Sequence, residues 1–297
     1  MHPQPPFCHN PQCHARGQVG QGHIRVHRHT EPRSRCTSCG QTFTATKGPP
    51  CYRLRTAAEL VPVVLTRLSH GCPLQAIVAA CDVEERTVAT WLRRAGQHGQ
   101  QGHQPVVQQA PVDLQHVQAD ELWVTLVGRR VWMAMALAVP SRRWLGGVSS
   151  AQRDLPLITT LVQLIHSCAR PLAILVCVDG LASDVTAGLR VCRHPVSTGH
   201  RGRPRLVLAQ GLLRGQVVKR YARRRVVGVE RRVVCGTKQA LAAVVATPHP
   251  GTGVNTADIE RLNATFRASL APLVRRGRAI APTETVLTAG MWLVGCV

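Results

Sequence analysis

His116–Gly128, HVQADELWVTLVG, mixes apolar and polar residues with a period of two and closes on glycine, the pattern of a half-buried β-strand. RRVWMAMALAV (129–139) and RRWLGGVSS (142–150) follow it, with tight turns expected at Gly128 and Pro140, so three successive strands are predicted. LPLITTLVQLIHSCA (155–169) then carries Leu157, Leu161, Leu164 and Ile165 at helical spacing. LAILVCVDG (172–180) is an aliphatic run ending in an acid and a glycine, as a buried strand opening into a loop would read. A last helix with one buried face is expected through Ile259, Leu262, Phe266 and Leu270, after the cap candidates Asn255 and Thr256. Three strands, a helix, a further strand and more helices predict an α/β fold, a mixed sheet with helices packed on it.

Upstream, the stretch from Thr56 to Gly71 places Leu60, Val63, Val64 and Leu68 at helical spacing and is stopped by Gly71. Leu74, Ile77 and Val78 mark a second helix, and after a turn near Cys81 and Asp82, EERTVATWLRRAG (84–96) marks a third. Its Val88, Trp91 and Leu92 face inward and Arg86, Arg93 and Arg94 outward, as in a helix-turn-helix module that offers its last helix to a DNA groove. Thr87 and Thr90 are candidates for approaching bases, with no base edge specified by the sequence. Residues 98–112 are polar, glutamine-rich and broken by Gly and Pro, and are expected to be a linker to a unit covering 113–297.

Residues 1–48 hold few large aliphatic side chains, so a fold there needs more than hydrophobic burial. CHNPQC (8–13) and CTSCG (36–40), separated by 22 residues, bring Cys8, Cys13, Cys36 and Cys39 into the spacing of a four-thiolate zinc ribbon. His9, His14, His23, His27 and His29 offer alternative nitrogen ligands. The other cysteines are scattered and read as small buried residues of a reducing compartment. With no secretory segment and no spanning apolar run, the cytoplasm or nucleoid is the expected location and no membrane partner is expected.

The chain of 297 residues has 37 Lys and Arg against 15 Asp and Glu, a formal charge of +22, which points to nucleic acid. Against that background three acids stand out. Asp120 sits in the first strand beside Glu121, which alternation sends to the opposite face; Asp179 closes LAILVCVDG; Glu260 lies on the last helix. Three carboxylates from distant positions can jointly hold two Mg2+ ions about 3.5 to 4 Å apart, the arrangement that in-line displacement at phosphorus uses. Asp184 and Asp258 are their local competitors, Asp184 as a helix cap and Asp258 as a first-turn acid. Arg190–Lys238 is the most basic stretch; Lys219, Arg220, Arg223, Arg224 and Arg225 are expected on phosphates, and Tyr221 is a candidate for stacking on a base.

The CHNPQC and CTSCGQTF knuckles, PCYRLRT, WLRRAGQH, QADELW, CVDG, KRYARRRVVGVERRVV and NTADIERLNATFR occur in this order over nearly the whole chain. In this the chain resembles the transposases of IS1-like insertion sequences, DDE recombinases with an RNase H-like, retroviral-integrase-like core. The resemblance implies catalytic residues at Asp120, Asp179 and Glu260 holding two Mg2+, one structural Zn2+ on the two cysteine pairs, and terminal-repeat recognition by the helical unit 52–97. It further implies cleavage at the element's end and attack of the freed 3′ hydroxyl on target DNA, in a complex of several copies of the protein. The family usually continues beyond MWLVGCV into a YNF-type segment, so a C-terminal truncation at Val297 is expected. The competing expectation is a non-catalytic DNA-binding remnant acting as a repressor.

Overall fold

The computed structural model describes residues 6–10, 12–28, 33–44, 54, 56–57, 59–108, 114–126, 129–169, 173–197, 199, 201–223, 225–246, 254–273 and 283–297. The chain divides into two compact units, Met1–Val63 and Val64–Val297. In the first, β1 (Ile24–Arg28), β2 (Arg33–Cys36) and β3 (Thr42–Thr44) form an antiparallel sheet in the order β1-β2-β3. Its small core is Cys8, Cys13, Ala15, Cys36 and Phe43, so cysteines fill the place that aliphatic residues take in a larger domain.

Helices α1 (Leu60–Ser69), α2 (Leu74–Cys81) and α3 (Glu85–His103) follow, α1 spanning the boundary between the units. Gly71 comes two residues after α1 with φ +79°, the left-handed conformation that lets glycine end a helix. Asp82, at φ 50°, caps α2 in the same region and turns the chain into α3.

Of the stretch read as a linker, 98–108 are helical and 109–112 lie outside the described residues. Residues 98–103 continue α3, and Gln104–Gln108 form one π-helical turn. The reason is packing against α8 (Glu284–Gly295). A Cβ on Gly96 would lie 2.5 Å from the Cα of Ala289, and one on Gly99 3.2 Å from the carbonyl oxygen of Trp292. The glycines that read as helix breakers are what allows the two backbones to approach, and burial of Leu92, Ala95, Ala289 and Leu293 offsets their poor helix propensity. Consequently α2 and α3 group with residues up to 297 rather than standing as a separate block over 52–97.

The second unit is a mixed α/β structure, a six-stranded sheet flanked by helices. The predicted strands are β4 (His116–Leu126), β5 (Arg129–Ala138), β6 (Arg143–Ser150) and β7 (Leu175–Asp179), and the helices are α4 (Leu155–Cys168), α5 (Ala182–Val191), α6 (Lys238–Ala246) and α7 (Ala257–Ser269). The turn at Pro140 is present; the one at Gly128 lies outside the described residues. The basic stretch supplies a small hairpin, β8 (Arg193–Val196) with β9 (Arg205–Leu208), and a long ribbon, β10 (Leu213–Ala222) with β11 (Arg225–Cys235).

The strand order is β11-β10-β7-β4-β5-β6. β4, β7 and β10 run parallel, β5 is antiparallel to β4 and β6, and β11 is antiparallel to β10. Alternation sends Val117, Ala119, Val176 and Val178 to one face, against Leu157, Ile158, Leu161, Ile165 and Ala187 of α4 and α5. The other face sends Leu122, Val124 and Met133 against Ile259, Phe266, Met291 and Trp292 of α7 and α8, and Leu175 and Cys177 against Leu241 and Val245 of α6. Helices therefore cover both faces of the sheet, which is why β7 is apolar up to Asp179.

Among the described residues no helix is long and apolar enough to cross a membrane.

Candidate functional site

β4 and β7 pair in parallel with Gln118 level with Cys177, and two residues further along both strands stand Asp120 and Asp179. Neighbouring strands lie about 4.8 Å apart, so this register sets the two acids side by side on the same face of the sheet. β10 continues the row: Val217 pairs with Asp179, and Lys219, two residues on, shares its face.

Glu260 reaches this row from α7, and the fastening is Gln118. Its side-chain oxygen accepts the backbone N–H groups of Asp258 (2.9 Å) and Ile259 (3.0 Å), and its Nε2 donates to Asn255 and Asp258. A fully buried strand glutamine thus satisfies two of the orphan donors of the α7 N-terminus. Gln118→Leu leaves both donors buried and unpaired, and should destabilise the protein by about 3 kcal/mol, read as a lower midpoint in denaturant unfolding.

Each acid is held individually. Asp120 accepts from Asn263 Nδ2 at 2.7 Å and from the backbone N–H of Glu121 at 2.8 Å. Glu260 accepts from Thr256 Oγ1 at 2.8 Å and from Lys219 Nζ. One oxygen of Asp179, Oδ1, is buried without a hydrogen-bond partner among the described residues. Burial, then the negative charges of Asp179, Glu121 and Glu260, push the Asp120 carboxyl up to about 7. Asp179 is also raised, chiefly by burial, although Lys219 opposes the shift. Burial opposes ionisation of Glu260, but hydrogen bonds from Lys219 and Thr256 outweigh it and hold the carboxyl below its usual range. The acids thus sense one another, yet they do not close as tightly as the cysteines described below: among the described residues, only the four cysteines bring three or more ligand atoms within 4.8 Å of one another.

The opposite face carries a second charged group. Glu121 receives Arg153 at 2.6 Å, as alternation with Asp120 requires. Asp184 is buried within the first turn of α5, and its Oδ2 has no hydrogen-bond partner among the described residues. It does not cap the helix; the cap position belongs to Leu181, and Arg214 donates to the backbone carbonyl of Asp184 at 3.0 Å. Burial, then the charge of Glu121, raises the Asp184 carboxyl to about 8. Because the folded value lies above the ordinary 3.8, the neutral form favours folding. That contribution is complete below about pH 4 and is lost as pH rises through about 8. Asp184→Asn should flatten this decline, gaining on the order of a few kcal/mol at pH 9 in urea unfolding relative to the parent chain.

The four cysteines converge. Cys8 Sγ lies 3.7 Å from Cys39 Sγ and Cys13 Sγ 3.9 Å from Cys36 Sγ, and the set can hold a metal ion. Each knuckle is closed by backbone bonds, Gly17 N–H to Cys8 O at 3.1 Å and Gly40 N–H to Cys36 O at 2.9 Å. His14 and His23 stand edge to face with ring centroids 6.3 Å apart and are not in the cluster.

The cations expected on phosphate divide. Lys219 is bound to Glu260, and Arg220 and Arg232 both hold Glu230. Arg223 and Arg225 are exposed at the tip of the ribbon, and Arg224 lies outside the described residues. On α3, Arg86, Arg93 and Arg94 are exposed and Thr87 and Thr90 half-buried; the Thr90 hydroxyl donates to Arg86 O and accepts from Arg93.

Neither protein-family models nor curated proteins match this chain.

Sequence reasoning missed Gln118, Asn263, Arg153 and the pairing of Lys219. For Asn263 a signal existed: it stands three residues after Glu260, hence on the same side of the helix.

Proposed function

We propose that this protein is a DDE transposase that binds the terminal inverted repeats of an insertion sequence and cuts and joins DNA with two Mg2+ ions. The observation that carries the reading is the row formed by Asp120 and Asp179 on adjacent parallel strands, with Glu260 brought to it by a helix clamped on Gln118. The resemblance to IS1-like transposases names the same three acids.

An RNase H-like core is supported by the strand order. Counted one to five in chain order, β4, β5, β6, β7 and β10 lie as 3-2-1-4-5 with only the second reversed. The donors suit the metal: hard carboxylate oxygens, one of them buried with no hydrogen-bond partner among the described residues. When bound, the ions would activate the attacking oxygen and stabilise the leaving one. The chain's own residues fix the ligands. Asn263 orients Asp120, and Thr256 orients Glu260. Lys219 balances the charge of Glu260, so a cation arriving there competes with the ammonium.

A zinc ribbon fits the cysteine unit. A tetrahedron with Zn–S bonds of about 2.3 Å has sulfur-to-sulfur edges of about 3.8 Å, and the two pairs stand at 3.7 and 3.9 Å. A helix-turn-helix role for α2 and α3 is supported by the turn at Asp82 and the exposed Arg86, Arg93 and Arg94.

The test is a joining reaction with a precut duplex that carries the end of the DNA element encoding the chain. Joined product that depends on Mg2+ or Mn2+ is expected. Binding without product in any divalent ion would reject catalysis and favour the DNA-binding remnant.

A further inference from the structure

We infer that the tip of the β10–β11 ribbon is a wedge that enters a groove of duplex DNA and opens a base step. This deepens the DNA reading above and rests on it.

The ribbon changes character along its length. Gly215, Gln216 and Val217 are buried beside β7, whereas the outer half is exposed on both faces. There Tyr221 is 63% exposed, Val226 50%, Val227 64% and Val229 46%. Tyr221 and Val226 are direct cross-strand partners, one step from the closing pair Ala222 and Arg225. An exposed aromatic and valine side by side at a hairpin tip have no folding role among the described residues; burying them against a partner would be favourable.

The surroundings select that partner. Residues 219–232 hold seven Lys and Arg against a single Glu. Glu230 engages Arg220 and Arg232, and Arg231 donates to Val254 O at 2.7 Å. Arg223 and Arg225, both on the turn side of the apolar pair, are exposed. A second copy offering the same β11 edge would bring like charges together, and cationic edge strands resist such pairing. A polyanion is attracted, and a DNA groove admits a two-stranded ribbon. Apolar side chains placed at a base step unstack and kink the duplex, while nearby arginines hold the phosphates.

The test uses the full chain and a duplex with one central TA step, the kind of step most easily unstacked. 2-Aminopurine replaces its adenine, and its fluorescence rises on unstacking. The parent chain should bind and raise the signal. Tyr221→Ala with Val226→Ser should lose the rise while affinity stays within about tenfold, because phosphate contacts dominate affinity. Arg223→Ala with Arg225→Ala should instead weaken binding and make the dependence of log K on log salt shallower by about 1.8, at about 0.9 per phosphate lost. Binding with no rise in the parent, or a rise kept by the tip variant, overturns the wedge and leaves the DNA reading intact. No binding to any duplex at low salt overturns the DNA reading itself. A concentration-dependent dimer in sedimentation that Val227→Lys abolishes would assign the tip to a second copy and also overturn the wedge.

Discussion

Asp179→Ala is expected to abolish strand joining while duplex binding persists. Asp179 ends β7 on the strand next to Asp120, and its Oδ1 is buried with no hydrogen-bond partner among the described residues. On the proposed two-metal reading, removing it leaves Asp120 and Glu260 without a third carboxylate, and even residues that only support a metal ligand cost about 10- to 100-fold in affinity or activity. A loss beyond about a hundredfold in joined product is therefore expected, measured in single turnover with Mg2+. Binding should change little, because the exposed arginines of α3 and of the ribbon tip are elsewhere in the fold. Joining at the parent rate would remove Asp179 from the site and with it the two-metal reading.

The second large effect concerns the N-terminal unit. Its core is built from three cysteines, one alanine and one phenylalanine, too little apolar surface to hold three short strands unaided. Structural zinc contributes about 10 to 16 kcal/mol in small zinc-binding peptides at neutral pH. Cys36→Ser should therefore lose one equivalent of zinc by atomic absorption and expose residues 6–44 to proteolysis, leaving the cooperative unfolding of the sheet unit in place. Retention of stoichiometric zinc would exclude Cys36 as a ligand. Loss of zinc with full protection of 6–44 would show that the strands hold without it.

Much of this was legible in the residues because the physics was local. Alternation around Asp120 and Glu121 sends one acid to α7 and the other to Arg153, as period two requires. The aliphatic run ending at Asp179 is a buried strand, covered by helices on both faces. What stayed hidden depended on distant partners. Gln118 reads as a solvent-facing strand residue until α7, 140 positions away, is laid over it. Lys219 reads as one cation among many until β10 is set beside β7, with Glu260 above. Residues 98–112 read as a linker because the stretch is polar and broken by Gly and Pro, and glycine is a poor helix former; only the α8 backbone explains why glycine stands at 99.

The length of α3 has a mechanical meaning. Its 19 residues form a rod of about 28 Å, with Arg86 in its first turn and His103 wedged between Trp144 and Trp292 at its far end. A load applied at Arg86 passes along the helix to Trp144 of β6 and Trp292 of α8, so whatever grips the first turns of α3 is held about one helix length from the sheet.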